Sequence, residues 1–109
     1  MGEKTYFIDL KSSKAYRIRV YVKTEKGIVR DLVVQLEKWN NNQWIAVTRY
    51  DCAHGELHID VLHRDGSKEK RFMGDNNLNQ AVTKAIEDLK NNWTDYLRRT
   101  GYGQEEGNE

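Results

Sequence analysis

The sequence predicts an α+β domain: an antiparallel meander of five or six strands, with one long C-terminal helix packed on one face. Two observations predict this fold. Apolar and polar side chains alternate with a period of two before Gly74, and from Leu78 onward apolar side chains recur at every third or fourth position. Because the strands precede the helix instead of alternating with helices, the arrangement is α+β and not doubly wound.

The strands are predicted from this alternation and from the turn residues between them. The run 16–23 carries apolar side chains at even positions and mostly charged ones at odd positions, which is typical of a half-buried strand. Residues 40–43 are predicted to form a hairpin loop, and Asp65 with Gly66 a tight turn, because Asn, Asp and Gly favour turn conformations. We expect further strands at 6–10, 32–39, 44–51, 57–63 and 67–72.

The helix is predicted over Leu78–Thr100. Asn77 followed by Gln80 resembles an N-terminal capping arrangement, and Gly101 is placed to end the helix. Residues 1–100 are therefore predicted to form a single domain, and residues 101–109 a disordered acidic tail. The helix residues that we expect to be buried include Val82, Leu89 and Trp93.

Composition excludes several classes of protein. The formal net charge is +1, with ten Lys and Arg against five Asp and Glu in residues 1–50, which is far below the basic excess of a dedicated DNA-binding domain. No apolar run approaches the roughly 20 residues of a membrane span, and the first residues lack the apolar stretch of a secretory signal. The single cysteine excludes a four-cysteine zinc site and fits a reducing compartment, so that we expect a cytoplasmic protein.

All three histidines and the only cysteine lie within residues 49–65. If residues 57–63 form a strand, the odd-numbered apolar side chains face the core, whereas His58 and Asp60 lie together on the opposite face. Cys52 has two interpretations: a nucleophile activated by the neighbouring histidine, or a small buried hydrophobe. We expect the second.

Three interpretations of the histidines remain open. In the first, His54 and His58 act as general acid and base on RNA at neutral pH, with Arg49, Arg17 or Arg19 stabilising the charged intermediate. In the second, His54, His58 and Asp60 bind a metal ion. That spacing is not a specific zinc signature and one strand places only two ligands on a face, so that we predict no metal and no cofactor. In the third, these residues are polar side chains on a solvated strand face.

A second polar group lies on the predicted strand 16–23. Arg17, Arg19, Tyr21 and Lys23 share one face of that strand. Cations interleaved with an aromatic ring suit the phosphates and a stacked base of RNA. The alternative is an ordinary solvated strand face, since edge strands often carry charge.

The segment Arg49-Tyr50-Asp51-Cys52-Ala53-His54-Gly55, followed by His58-Ile59-Asp60, resembles a motif of small uncharacterised bacterial domains. It is also loosely similar to the TumE-like toxins of toxin–antitoxin systems, which carry an Arg-x-Asp-Asn-Ala segment and then closely spaced histidines. Here Cys52 stands where those toxins have Asn. The resemblance implies an RNA-directed activity and an antitoxin-like protein partner, and it gives weight to Arg49, Asp51, His54 and His58 as site residues.

We therefore predict an RNA-directed, toxin-like activity, namely a metal-independent ribonuclease. The alternative is a non-catalytic interaction or regulatory module that forms a homodimer, since exposed aromatic side chains on the uncovered sheet would favour self-association. No membrane association is expected. The predicted catalytic residues are Arg49, Asp51, His54, His58 and Asp60, and the predicted nucleic-acid-binding residues are Arg17, Arg19, Tyr21 and Lys23.

Overall fold

The computed structural model describes residues 2–10, 14–53, 56–74 and 77–103, which form one six-stranded sheet and one long helix. Neighbouring strands are antiparallel and follow the order of the chain, so that the sheet is a simple meander. This confirms the predicted α+β fold. The elements are β1 (Gly2–Asp9), β2 (Tyr16–Glu25), β3 (Ile28–Asn40), β4 (Gln43–Ala53), β5 (Glu56–Leu62), β6 (Lys68–Phe72) and α1 (Leu78–Thr100).

The two faces of the sheet differ because side chains alternate along each strand. One face is apolar and packs against α1, which contacts β2, β3, β4 and β5. We call it the covered face, and we call the opposite surface the open face. The covered face includes the fully buried side chains of Ile18, Val20, Leu32, Val34, Leu36 and Ile59, with Leu89 and Leu97 on α1.

The helix has the bounds and the caps that the sequence predicts. Asn77 accepts a hydrogen bond from the Gln80 backbone N–H at 3.1 Å, and Gly101 ends the helix with a φ of 98°. Of the side chains predicted to be buried, only Leu89 is fully so. Val82 and Trp93 are half-buried, because they lie beside the buried stripe of the helix instead of on it.

Two hairpins close through two-residue turns with positive φ values. Lys26 and Gly27 join β2 to β3, and both have positive φ values, 53° and 77°. Asn41 and Asn42 join β3 to β4 with φ values of 52° and 66°. Consecutive positive φ values match the twist of a two-residue hairpin, and Asn tolerates them better than most residues. The predicted loop at 40–43 therefore shortens to two residues.

The second residue after the helix joins the core. Tyr102, which the sequence places in the tail, is buried and donates its backbone N–H to the Leu97 carbonyl at 2.8 Å. The remainder of the predicted tail, residues 104–109, lies outside the described residues. Within the described part of the chain, no helix is long and apolar enough to cross a membrane.

Candidate functional site on the open face

The open face holds every predicted site residue that the structure describes. Strand alternation and register place them there together, opposite α1. His54, one of the predicted catalytic residues, lies outside the described residues. One continuous row crosses all six strands through paired positions, in the order Phe7, Arg19, Gln35, Arg49, Asp60 and Lys70.

Three arginines on the open face are held by two side chains of β3. Arg17 donates through Nε to Glu37 Oε1 at 2.7 Å, and Arg19 donates through Nε to Glu37 Oε2 at 3.2 Å. Gln35 donates to the same Glu37 Oε2 at 2.6 Å and accepts from Arg49 Nε at 2.6 Å. We call these five residues the arginine cluster. Three guanidinium groups and one carboxylate leave it with a net positive charge.

The inner edge of each guanidinium makes these bonds. Nε carries one N–H of the group, and the terminal nitrogens carry the others. The Glu37 carboxylate is buried, whereas the side chains of Arg17 and Arg19 keep 22% and 32% of their surface exposed. Glu37 therefore holds Arg17 and Arg19 through Nε, and part of each arginine side chain stays accessible to solvent.

Aromatic rings surround one of these arginines. The guanidinium carbon of Arg17 lies 4.1 Å from the centre of the Phe7 ring and 3.9 Å from the centre of the Trp44 ring. Trp44 in turn meets Trp39 edge to face, with ring centres 5.3 Å apart. Phe7 and Trp39 are about half exposed. We call Phe7, Trp39 and Trp44 the aromatic cluster.

Sequence reasoning missed the residues that organise the arginines. Glu37, Gln35 and Phe7 were not singled out, because each stands in a strand with no motif around it. A signal was nevertheless present in β3: Leu32, Val34 and Leu36 alternate with side chains that must face the other way. A buried acid on the strand next to a pair of arginines is recognisable as their partner only once the register is known.

Tyr21 and Lys23 extend the open face along β2 toward its far end. The Tyr21 hydroxyl donates to Glu3 Oε1 at 2.6 Å. This hydrogen bond, together with the negative charge of the carboxylate, raises the pKa of Tyr21 to about 12. Tyr21 is thus tied to β1, and of the predicted nucleic-acid-binding residues Arg17 and Arg19 are the ones joined to the arginine cluster.

A second group of polar side chains on the open face lies on β4 and β5. Asp51 pairs directly with His58 across the two strands, and Asp51 Oδ1 lies 2.5 Å from His58 Nε2. Asp60 Oδ2 lies 3.8 Å from the same nitrogen. The ring of Phe72 on β6 covers the imidazole, with ring centres 5.7 Å apart. We call Asp51, His58 and Asp60 the carboxylate–histidine cluster.

Burial of the carboxylate–histidine cluster corrects the expectation that its residues lie on a solvated strand face. His58 and Asp60 lie on the predicted face, but that face is not solvated there: the two residues are 3% and 6% exposed. The reason is that Phe72 covers His58, and that Arg49 and Lys70 flank Asp60 in the neighbouring strands. Among the described residues, His58 Nδ1 and Asp60 Oδ1 are buried without a hydrogen-bond partner.

Comparison with known proteins gives one assignment. The model of a family described as a domain of unknown function, DUF7718, matches residues 1–107. The chain belongs to the DUF7718 family. No curated protein and no solved structure matches the chain. The resemblance to TumE-like toxins is not tested by these comparisons and stays a prediction.

Two reactive side chains of this DUF7718 domain lie outside both clusters. The Cys52 thiol donates to Asp31 Oδ1 at 3.2 Å. Burial, with this hydrogen bond, raises the pKa of Cys52 to about 11, which favours a structural thiol over a nucleophile. His63 follows β5 and pairs with Glu69 on β6 at 2.5 Å, so it takes no part in the carboxylate–histidine cluster.

Proposed function

We propose that the open face binds single-stranded RNA. The observation that carries the proposal is the contact between the arginine cluster and the aromatic cluster, in which Arg17 lies between the rings of Phe7 and Trp44. Arginines fixed in place suit phosphate oxygens, and exposed aromatic rings beside them suit stacked bases. A sheet with a helix on one face only leaves such a surface accessible, as in other single-strand binding modules.

The proposal concerns the binding of RNA only. Cleavage of RNA stays a prediction from the sequence. A metal-independent ribonuclease needs a second proton-transfer group beside His58, and His54 lies outside the described residues. His58 itself is buried, so that contact with a scissile phosphate would require Phe72 to move. The toxin-like activity, the antitoxin-like partner and the cytoplasmic location also stay predictions.

The test is fluorescence anisotropy of a labelled ten-nucleotide oligouridylate at several NaCl concentrations. Three phosphate contacts predict a slope of log affinity against log salt of about −2. Arg17→Gln and Arg49→Gln should each make that slope less steep by about 0.7. Arg98→Gln is the matched control, because Arg98 is an exposed arginine on α1, away from the open face.

Removal of an aromatic ring provides a second test of RNA binding. Trp39→Ala should weaken binding by about 1–3 kcal/mol if a base stacks on that ring. An affinity weaker than about 1 mM at low salt, or an equal loss of affinity in Arg98→Gln, would overturn the proposal. Incubation of the same RNA between pH 5 and pH 9, with and without His58→Ala, tests cleavage separately.

A second candidate is self-association through the same face. It is favoured by the large apolar side chains exposed on it, and aromatic residues with arginine are typical of protein interfaces. Sedimentation velocity at increasing protein concentration decides this: dimerisation that Phe7→Ser abolishes would support the interaction module. Exposed apolar residues on the open face include Phe7, Trp39 and Phe72.

A further inference from the structure

We propose that Asp51, His58 and Asp60 bind one divalent transition-metal cation, of the kind represented by Zn²⁺ or Mn²⁺. The proposal is independent of RNA binding and rests on other residues. The potential ligand atoms of the three side chains all lie within 4.8 Å of one another. They come from two adjacent strands, so that backbone hydrogen bonds between β4 and β5 fix their spacing.

The contribution of Asp51 is what the sequence did not reveal. Strand β5 alone places two ligands, His58 and Asp60, on the open face, which is the reason that no metal was predicted. The register then sets Asp51 opposite His58 and completes a set of three. Three protein ligands leave a coordination position for water or a substrate atom.

Burial provides an independent argument. A carboxylate removed from water without a partner is costly, and Asp60 Oδ1 is buried with no hydrogen-bond partner among the described residues. Arg49, which pairs with Asp60 in register, directs its Nε to Gln35 instead. As metal ligands, two carboxylates and an unprotonated imidazole would carry a charge of −2 beside Arg49 and Lys70, and a divalent cation would balance it.

The distances suit a transition metal. Zn–N and Zn–O bonds are about 2.0–2.2 Å, so that ligand atoms on one ion lie about 3–3.5 Å apart. His58 Nε2 lies 2.5 Å from Asp51 Oδ1 and 3.8 Å from Asp60 Oδ2, so that side-chain shifts of less than about 1 Å would bring both carboxylates onto one ion. The imidazole favours Zn²⁺, and the two carboxylates also suit Mn²⁺, whereas Ca²⁺ and Mg²⁺ prefer oxygen ligands alone.

Isothermal titration calorimetry of the full chain, stripped with a chelator and then dialysed, tests the site with ZnCl₂ and MnCl₂. One saturable equivalent is expected. Asp60→Asn and Asp51→Asn keep the shape of the side chain and should each weaken binding at least about tenfold. His63→Ala is the matched control, because His63 pairs with Glu69 and belongs to no group of three possible ligands among the described residues.

Imidazole NMR resonances of the wild-type protein make the test independent of how the variants fold. Added Zn²⁺ should shift the His58 signals at one equivalent and leave the His63 signals in place. Absence of saturable binding, an affinity unchanged in Asp60→Asn, or a shift at His63 in place of His58 would each overturn the proposal.

Discussion

Arg17 is held in place by Glu37, whose Oε1 accepts from Arg17 Nε at 2.7 Å while the guanidinium lies between two aromatic rings. The carboxylate that fixes this arginine is buried and comes from the neighbouring strand. The positions of the arginines on the open face therefore depend on an acidic side chain, that of Glu37. Removal of that acid changes stability as well as the positions of the arginines.

We expect Glu37→Gln to lower the free energy of unfolding by about 1.5–3 kcal/mol, because hydrogen bonds to a charged group are lost in a buried place. Urea unfolding measures the change. Glu25→Gln is the matched control: Glu25 pairs with Arg30 at 3.6 Å with both side chains exposed, and such pairs contribute little. Equal losses in the two variants would contradict a structural role for Glu37.

The contact between α1 and β4 predicts sensitivity to alkaline pH. The hydroxyls of Tyr50 and Tyr96 both donate to Asp88 Oδ2 at 2.6 Å. Burial, and then the hydrogen bond to Asp88, raises the pKa of Tyr96 to about 12, and the same causes raise the pKa of Tyr50 further. The unfolded chain loses these protons first, near pH 10, so that the native state holds more protons than the unfolded state between about pH 10 and pH 12.

The free energy of unfolding should therefore fall as the pH rises through that interval. Denaturant unfolding of the wild type and of Tyr96→Phe at pH 9, 10 and 11 measures the effect. The fall should be shallower in Tyr96→Phe, since one of the two hydroxyls is absent. Identical pH dependence in both proteins would contradict the role of Tyr96.

Alkylation of Cys52 by iodoacetamide tests whether this thiol is reactive. With a pKa of about 11, Cys52 is almost wholly protonated at pH 8, and the thiolate is the nucleophile. The rate should increase about tenfold per pH unit from pH 8 to pH 10. Asp31→Asn should raise the rate at pH 8, because Asp31 accepts the hydrogen bond that stabilises the thiol. A rate that levels off near pH 8 would indicate an activated cysteine.

Substitutions at Leu89 and Trp93 compare how much the buried stripe of α1 and its flank each contribute to stability. Leu89 is fully buried, and Leu89→Ala should cost about 2–5 kcal/mol. Trp93 is half-buried, with its ring centre 4.9 Å from that of Tyr16, so that Trp93→Ala should cost less than the roughly 3–5 kcal/mol of a fully buried tryptophan. Urea unfolding of both variants measures this. A loss of about 5 kcal/mol in Trp93→Ala would show that Trp93 is core.

The sequence predicted the fold because its strands and helix carry clear periodicities. The alternation of residues 57–63 also placed His58 and Asp60 on the correct face. It could not predict their burial, which depends on Phe72 of the neighbouring strand β6. Pairing across strands, such as that of Asp51 with His58, depends on register. Register is set in part by the turns, and the sequence overestimated the length of the turn between β3 and β4.

Residues of the arginine cluster illustrate the same limit. Arg17 and Arg19 were recognisable as a pair on one strand, whereas Glu37 and Gln35 acquire a role only through their register positions beside the arginines. Individual strands therefore specify which face a side chain occupies. Long-range pairing specifies its partners, and a single strand contains no information on that.

The three tryptophans allow the most direct test of RNA binding on the open face. Trp39 and Trp44 belong to the aromatic cluster, whereas Trp93 lies on α1 and packs against Tyr16. Indole N–H signals in a ¹H–¹⁵N correlation spectrum report on each ring separately during titration with oligouridylate. We predict that the Trp39 and Trp44 signals shift and that the Trp93 signal stays in place. Unchanged Trp39 and Trp44 signals at saturating RNA, or a shift of Trp93 alone, would contradict the account.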